Sequence, residues 1–149
     1  MKMIEKRYMF NTSFKNKEEL FKEATLYLKE RGYVSDEFEG ALNEREKEFP
    51  TGLPTEPSVA IPHTDGTYVK KDTLLCIIND SKIAFNEMGG DEEDHVYPQV
   101  FFMLALSDGK EHLEQLQNLV EKIQSGSLVS NSLQASNKEE FQKAVENYL

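Results

Sequence analysis

Hydrophobic positions early in the chain recur three and four residues apart, which is the spacing of an amphipathic helix. The first such stretch follows Asn16, a residue type that caps helix N-termini, and continues to about Arg31, where Gly32 ends it. The apolar positions that share one face are Leu20, Phe21, Ala24, Tyr27 and Leu28. This pattern predicts a helix with one buried face.

A second, shorter helix is predicted after the first. Ser35 or Asp36 can cap its N-terminus, and Phe49-Pro50 ends its pattern. Arg45 therefore lies near the C-terminus of this helix. The prolines and glycine that follow predict a loop over residues 50–58.

Continuous apolar runs predict buried strands at residues 59–61, 73–78 and 100–106. A shorter companion strand is predicted at residues 82–85, with the turn between it and the second strand at residues 79–81. Because the run at 100–106 is the most apolar stretch in the chain, we expect it to lie at the centre of the sheet.

Helical spacing returns after the last strand. It predicts a helix that carries His112 in its first turn and ends at Gly126, then a short helix over residues 128–133. A last helix, capped by Ser136 or Asn137, is predicted to run to the C-terminus. Strands and helices thus alternate as in an α/β fold, and 149 residues correspond to one domain.

Composition excludes several classes of function. The net charge of −10 argues against a nucleic-acid binder, which presents a basic face to phosphates; it fits either a dispersed acidic domain or attraction of a basic protein partner. No apolar stretch approaches the ~20 residues of a membrane span, and no apolar signal core follows the first residues, so we expect a cytoplasmic protein. The single cysteine, Cys76, lies in a predicted strand and cannot build a disulfide framework.

No cofactor and no metal are predicted. The glycine-rich phosphate loops of nucleotide enzymes are absent. The three histidines, His63, His95 and His112, lack the short spacings of zinc motifs. His95 follows the acidic run at residues 91–94, which is more typical of a solvated loop than of a calcium site, and we place it on the surface.

The run Val59-Ala60-Ile61-Pro62-His63 places an imidazole at the end of a stiff apolar segment, where sites are often built. A neutral imidazole is a nucleophile toward phosphorus, and an arginine can hold two phosphoryl oxygens, so His63 and Arg45 suit phosphoryl transfer. His112, entering a helix after the central strand, is a third candidate. Spacing alone favours simpler interpretations: a core or capping role for His112, and a surface ion pair between Arg45 and Glu44 or Glu48.

Three segments in a fixed order change this balance: Glu44-Arg45-Glu46, Phe49-Pro50-Thr51-Gly52 and Val59-Ala60-Ile61-Pro62-His63. Together they resemble the enzyme IIA domains of the phosphoenolpyruvate-dependent sugar phosphotransferase system (PTS), fructose/mannitol type. The Phe-Pro before Thr-Gly is most similar to the galactitol-specific branch. The resemblance implies a single domain over residues 1–149 with a mixed, mostly parallel β-sheet flanked by helices on both faces.

The resemblance also implies roles for three residues. In that family the histidine of Pro-His accepts a phosphoryl group, which implies this role for His63, and the arginine of Arg-Glu lines the phosphohistidine site, which implies phosphate stabilisation by Arg45. A second histidine near the phosphate matches Glu111-His112-Leu113, so His112 is expected to donate a hydrogen bond to it. The implied phosphate donor is the histidine-containing phosphocarrier protein HPr, and the acceptor is a sugar-specific IIB protein linked to the membrane permease IIC.

Two other functions stay open from the sequence. The chain can be a regulatory IIA-like protein whose phosphorylation controls a partner protein instead of transport. It can also be a non-catalytic interaction domain in which His63 merely caps a strand.

Overall fold

A computed structural model describes residues 4–149. Within that range the helices are α1 (Lys17–Glu30), α2 (Phe38–Glu48), α3 (Gly109–Gln124), α4 (Ser127–Leu133) and α5 (Lys138–Tyr148). The strands are β1 (Glu5–Thr12), β2 (Gly52–Leu53), β3 (Val59–Ala60), β4 (Thr73–Asn79), β5 (Phe85–Asn86), β6 (His95–Val96) and β7 (Val100–Ala105), and a 3₁₀ turn spans Gly66–Tyr68. None of the described helices is long and apolar enough to cross a membrane.

Five strands form a mixed sheet in the order β1-β4-β7-β3-β2. The β1–β4 and β3–β7 pairs are parallel, whereas β4–β7 and β2–β3 are antiparallel, and parallel register pairs are slightly the more numerous. The most apolar run, β7, lies at the centre of this sheet, and all six of its residues are buried. The prediction for residues 100–106 is therefore confirmed.

Helices cover both faces of the sheet. One core packs α1 and α2 against alternate residues of the two long central strands, including Leu75, Ile77 and Phe101. The other packs α3, α4 and α5 against the intervening residues, such as Cys76 and Phe102. Because successive side chains of a strand point to opposite faces, two fully buried strands need a helical layer on each side. The predicted α/β fold class is confirmed.

Two strand predictions need correction. The edge strand β1 was not predicted, because its first residues are charged and only Tyr8 of the strand is fully buried. Residues 82–85 do not pair with β4, whose neighbours are β1 and β7. Only Phe85 of that run enters a strand, β5, which pairs with β6 in a separate two-stranded sheet.

The helix caps agree with the sequence in two cases out of three. Asn16 and Asn137 each accept a hydrogen bond, at 2.8 Å, from the third backbone N–H of the helix that follows. The prediction of Ser35 or Asp36 as the cap of α2 is wrong, because the helix begins at Phe38 and no side chain caps it. The Ser35 hydroxyl donates to the Glu37 carboxylate instead.

Candidate functional site

His63 lies at the carboxyl end of the parallel pair formed by β3 and β7. The carbonyl of Pro62 accepts the backbone N–H of Leu104 at 3.0 Å, so pairing with β7 continues past the end of β3. His63 is two residues beyond Ile61 and lies on the same face of the sheet, the one that α3 covers. The residue is 8% exposed. Sites in open α/β sheets form at this end of the strands.

The imidazole of His63 is held in one tautomer. Its Nδ1 lies 2.8 Å from the backbone carbonyl oxygen of Ile61. Because a carbonyl only accepts, Nδ1 carries the hydrogen and the lone pair is on Nε2. Burial lowers the pKa of His63, with a smaller lowering from Arg45, while the Ile61 carbonyl acts in the opposite direction. The ring is therefore neutral near pH 7 and carries a nucleophilic nitrogen.

His112 faces this ring from the first turn of α3. The centroids of the two imidazoles are 4.9 Å apart, and the rings are tilted by 56°. Burial, then the neighbouring His63, then Arg45 lower the pKa of His112 to about 4. His112 is thus neutral in the free protein. The capping role weighed for it belongs to Asp108, whose side chain accepts the backbone N–H groups of Lys110 and Glu111.

The Asp108 cap reduces the number of backbone N–H groups that the N-terminus of α3 can donate to an anion. Helix N-termini attract anions through their free N–H groups, but the carboxylate of Asp108 already occupies two of them, at 2.8 and 3.1 Å. What α3 places against the His63 ring is the side chain of His112.

Arg45 supplies a positive charge next to the two neutral histidines. It lies in the last turn of α2, and its guanidinium stacks over the ring of Phe49 with Cζ 4.3 Å from the centroid. Arg45 is near enough to His63 and His112 to lower the pKa of both. Within the described residues it forms no ion pair with a neighbouring glutamate of α2. The structure therefore brings together the three side chains singled out from the sequence.

Two further residues beside the site were not predicted as functional. Glu46 is buried, and its carboxylate accepts both the backbone N–H and the hydroxyl of Thr51, each at 2.7 Å. Glu46 belongs to the Arg-Glu motif and Thr51 to the Thr-Gly motif. Their place in these motifs was the sequence signal that could have identified them. Their link fastens the end of α2 to the start of β2.

Gly66 sets how closely the segment after His63 approaches the end of β7. A Cβ added at this position would lie 2.8 Å from the carbonyl oxygen of Leu106 and closer still to that of Ser107. Only a glycine permits this contact between two backbones. The approach keeps the histidine segment beside the connection that leads into α3.

Other features noted in the sequence, namely the proline-containing loop, His95 and Cys76, lie away from the cluster of His63, His112 and Arg45. The 54–58 loop joins the antiparallel strands β2 and β3 at the end of β3 opposite His63. His95 is exposed beside that loop and contacts the carbonyl of Glu93, as expected for a surface histidine. Cys76 is fully buried in β4.

Comparison with known families agrees with this geometry. Residues 3–148 match the family model of the phosphoenolpyruvate-dependent sugar phosphotransferase system, EIIA 2. The chain belongs to this EIIA family. The resemblance inferred from the sequence motifs is thereby confirmed.

Individual relatives span transport and regulatory proteins. A galactitol-specific EIIA component of Escherichia coli K12 is 29% identical over 100 residues, which are 66% of this chain and 65% of that protein, just under two thirds of its length. The solved complex of enzyme IIA-mannitol and phosphorylated enzyme IIB-mannitol from E. coli has a TM-score of 0.76 at 22% identity, covering 95% of this chain and 94% of the other. The nitrogen regulatory protein IIA-Ntr of Neisseria meningitidis has a TM-score of 0.72 at 28% identity, covering 94% and 91%.

Proposed function

We propose that this EIIA protein is a phosphocarrier that accepts a phosphoryl group on Nε2 of His63 from phosphorylated HPr and passes it to a sugar-specific IIB protein. One observation carries the proposal: a buried, neutral imidazole with its lone pair on Nε2 lies beside one arginine and a second neutral histidine. That combination suits a negatively charged electrophile such as a phosphoryl group.

The first transfer needs no general base. The Nε2 lone pair of His63 attacks phosphorus while the P–N bond of the donor histidine breaks, and the bonding electrons return to the donor ring. The proton on Nδ1 stays in place, and the Ile61 carbonyl that accepts it also stabilises the positive charge that the ring acquires. The second transfer reverses these steps toward IIB.

Arg45 and His112 act on the phosphoryl oxygens. The guanidinium of Arg45 can donate two parallel hydrogen bonds to them and offset the negative charge in the transition state. A ring N–H of His112 can donate one more. Neither group has to exchange a proton with His63 for transfer to occur.

The relatives named above support a biological setting for the proposed transfer. The galactitol-specific relative supports galactitol or a related polyol as the sugar that the system takes up, and the IIA–IIB complex supports a IIB protein as the acceptor. We further propose that residues 1–149 act as one domain, in the cytoplasm, with only an indirect link to the membrane permease IIC.

The test is phosphorylation by purified enzyme I and HPr with labelled phosphoenolpyruvate. We expect one label per chain, bonded to Nε2 as seen by phosphorus NMR, and none in His63→Ala. His95→Ala is the matched control, because the Nδ1 of His95 also contacts the carbonyl two residues earlier, at 3.0 Å, but on the surface. Undiminished labelling of His63→Ala contradicts the proposal.

A regulatory role is the second candidate, and the 28% identity to a nitrogen regulatory IIA protein favours it. Both roles require phosphorylation of His63, so they are distinguished by where the phosphoryl group goes next. Labelled protein mixed with the IIB protein of a galactitol-type system should lose its label to IIB if the chain serves transport. Retention of the label with every sugar-specific IIB tested would favour regulation.

A further inference from the structure

A buried carboxylate beside the site takes no part in the transfer described above. Glu46 is 3% exposed, and burial raises its pKa, although the two hydrogen bonds from Thr51 act in the opposite direction. The charge of Lys17 also lowers this pKa, but Glu46 forms no ion pair within residues 4–149, and a buried carboxylate without one costs stability. The hydrogen bonds of Glu46 therefore indicate which part of the site it holds in place.

A continuous chain of hydrogen bonds leads from this carboxylate to the acceptor histidine. Glu46 accepts the N–H and the hydroxyl of Thr51, and the carbonyl of Thr51 accepts the N–H of Ile61 at 3.2 Å. The carbonyl of Ile61 in turn accepts Nδ1–H of His63 at 2.8 Å. Each residue in the chain is buried, so solvent does not substitute for a lost bond.

We propose that Glu46 and Thr51 are positioning residues for His63: through the backbone of Ile61 they fix the carbonyl that holds hydrogen on Nδ1 and leaves Nε2 free. The inference rests on the proposed function for its consequence, because only a phosphoryl acceptor needs Nε2 unprotonated. Neither residue is expected to touch phosphate.

The physical reason is the shortness of β2 and β3. Each has two residues, so the Glu46–Thr51 contact supplies much of what anchors the hairpin to α2. Pairing with β7 holds only the other edge of this segment, so without the anchor we expect the Ile61 carbonyl to turn away from Nδ1 part of the time. The imidazole then samples both tautomers, and the reactive nitrogen loses its fixed direction. Misplacement of a reacting group by about 1 Å can cost on the order of a hundredfold in rate.

The experiment compares Thr51→Val, which removes only the hydroxyl, with Thr51→Ser, which keeps it. Glu46→Met is the second variant, because a side chain of similar volume without an acceptor removes both hydrogen bonds from Thr51. Thr73→Val is the matched control, since the buried Thr73 hydroxyl donates to the backbone carbonyl of Glu5 at 3.0 Å on the far side of β7.

Two readouts are measured on the full chain. Nitrogen-15 NMR of the unphosphorylated protein reports which ring nitrogen of His63 bears hydrogen, and single-turnover mixing with phosphorylated HPr gives the transfer rate. We expect Thr51→Val and Glu46→Met to mix the two tautomers and slow transfer by about tenfold or more, the size of effect seen when the outer hydrogen-bond partner of a metal-binding histidine is lost. Thr51→Ser and Thr73→Val should keep the wild-type ring signals and rate.

The outcomes separate the two proposals. A Thr51→Val protein that loses thermal stability but keeps wild-type ring signals and rate overturns the positioning role, since a purely structural contact would behave in that way. Wild-type protein that takes no phosphate from HPr overturns the proposed function, yet the ring signals still decide whether Glu46 and Thr51 fix the tautomer. If Glu46→Met does not fold, the Thr51→Val and Thr51→Ser pair carries the test.

Discussion

The imidazoles of His63 and His112 face each other with their centroids 4.9 Å apart, and neither ring is charged at neutral pH. Two neutral histidines in contact avoid the repulsion that two imidazolium ions would suffer. A negative group bound beside the two rings is therefore expected to change their protonation.

Phosphorylation of His63 should raise the pKa of His112 from about 4. A dianionic phosphoryl group within hydrogen-bond reach favours the protonated imidazole, which can then donate to it. The measurement is an NMR titration of the His112 ring in the free and phosphorylated protein. An unchanged His112 pKa would remove this histidine from the phosphate site.

Replacing Arg45 with lysine should slow phosphoryl transfer to His63 by roughly tenfold. Lysine keeps the charge but loses both the bidentate fork and the planar stacking on Phe49. The rate is measured by single-turnover mixing with phosphorylated HPr.

Arg31→Lys is the matched control for that substitution. The Arg31 guanidinium also stacks on an aromatic ring near a helix C-terminus, with Cζ 3.6 Å from the centroid of Tyr27, but on α1. Its rate should equal that of the wild type. If Arg45→Lys matches it, the fork of Arg45 plays no part in transfer.

Gly66→Ala should lower both the stability and the transfer rate. The added methyl would meet the backbone carbonyls of Leu106 and Ser107, which cannot move aside as a flexible side chain can. We expect a loss of roughly 1–3 kcal/mol in the free energy of unfolding, as for other overpacked sites, and slower transfer because the His63 segment is pushed away from α3. Urea unfolding and the mixing assay measure the two effects.

Gly40→Ala is the control for the glycine prediction. A Cβ at Gly40 meets nothing within 4 Å, and the residue lies inside α2, so alanine should stabilise the protein by about 0.5–1 kcal/mol. If Gly66→Ala is as stable as this control, the backbone at the end of β7 moves to accommodate the methyl group at little cost in free energy.

Acid should destabilise the protein through His112. In the unfolded chain this histidine takes a proton near pH 6.5, but in the folded protein only near pH 4, so the free energy of unfolding falls as the pH drops through that interval. The contribution of one such group is at most ~1.4 kcal/mol per pH unit. His63, whose pKa is also lowered, acts in the same direction, and Glu46, whose pKa is raised, acts in the opposite one.

Urea unfolding at pH 7, 6 and 5 isolates that effect when the wild type is compared with His112→Gln. The contributions of His63 and Glu46 are common to both proteins and largely cancel in the difference. The variant should lose stability less steeply with acid. Parallel curves would show that His112 is not kept neutral by the fold.

The sequence predicted the parts of the fold whose signal is strong and local. The long apolar run of β7 and the periodic face of α1 are each visible without knowledge of their neighbours. β1 was missed because it lies at the sheet edge, where charged residues are accommodated. Its clue was the alternation of Tyr8 and Phe10, which face α5 and contact Phe141.

The candidate site divides in the same manner. His63, Arg45 and His112 could be selected because their chemistry and motif context stand out, and the structure places them together. The link between Glu46 and Thr51 could not, since a hydrogen bond from a helix end to the following strand has no periodic signature. Its existence depends on how α2 meets the sheet, which only the three-dimensional packing determines.

Because β7 lies late in the chain and at the centre of the sheet, the proposed phosphoryl-transfer site can form only after residues 100–105 have been synthesised. β1 must pair with a strand 68 residues later, and β3 must wait for β7, so most contacts that define the sheet span long stretches of chain. Such topologies fold slowly compared with helical bundles. A nascent chain still on the ribosome already displays His63 and Arg45, but it lacks the strand that orients the first and the helix that carries His112. It should therefore not compete with finished protein for phosphorylated carrier.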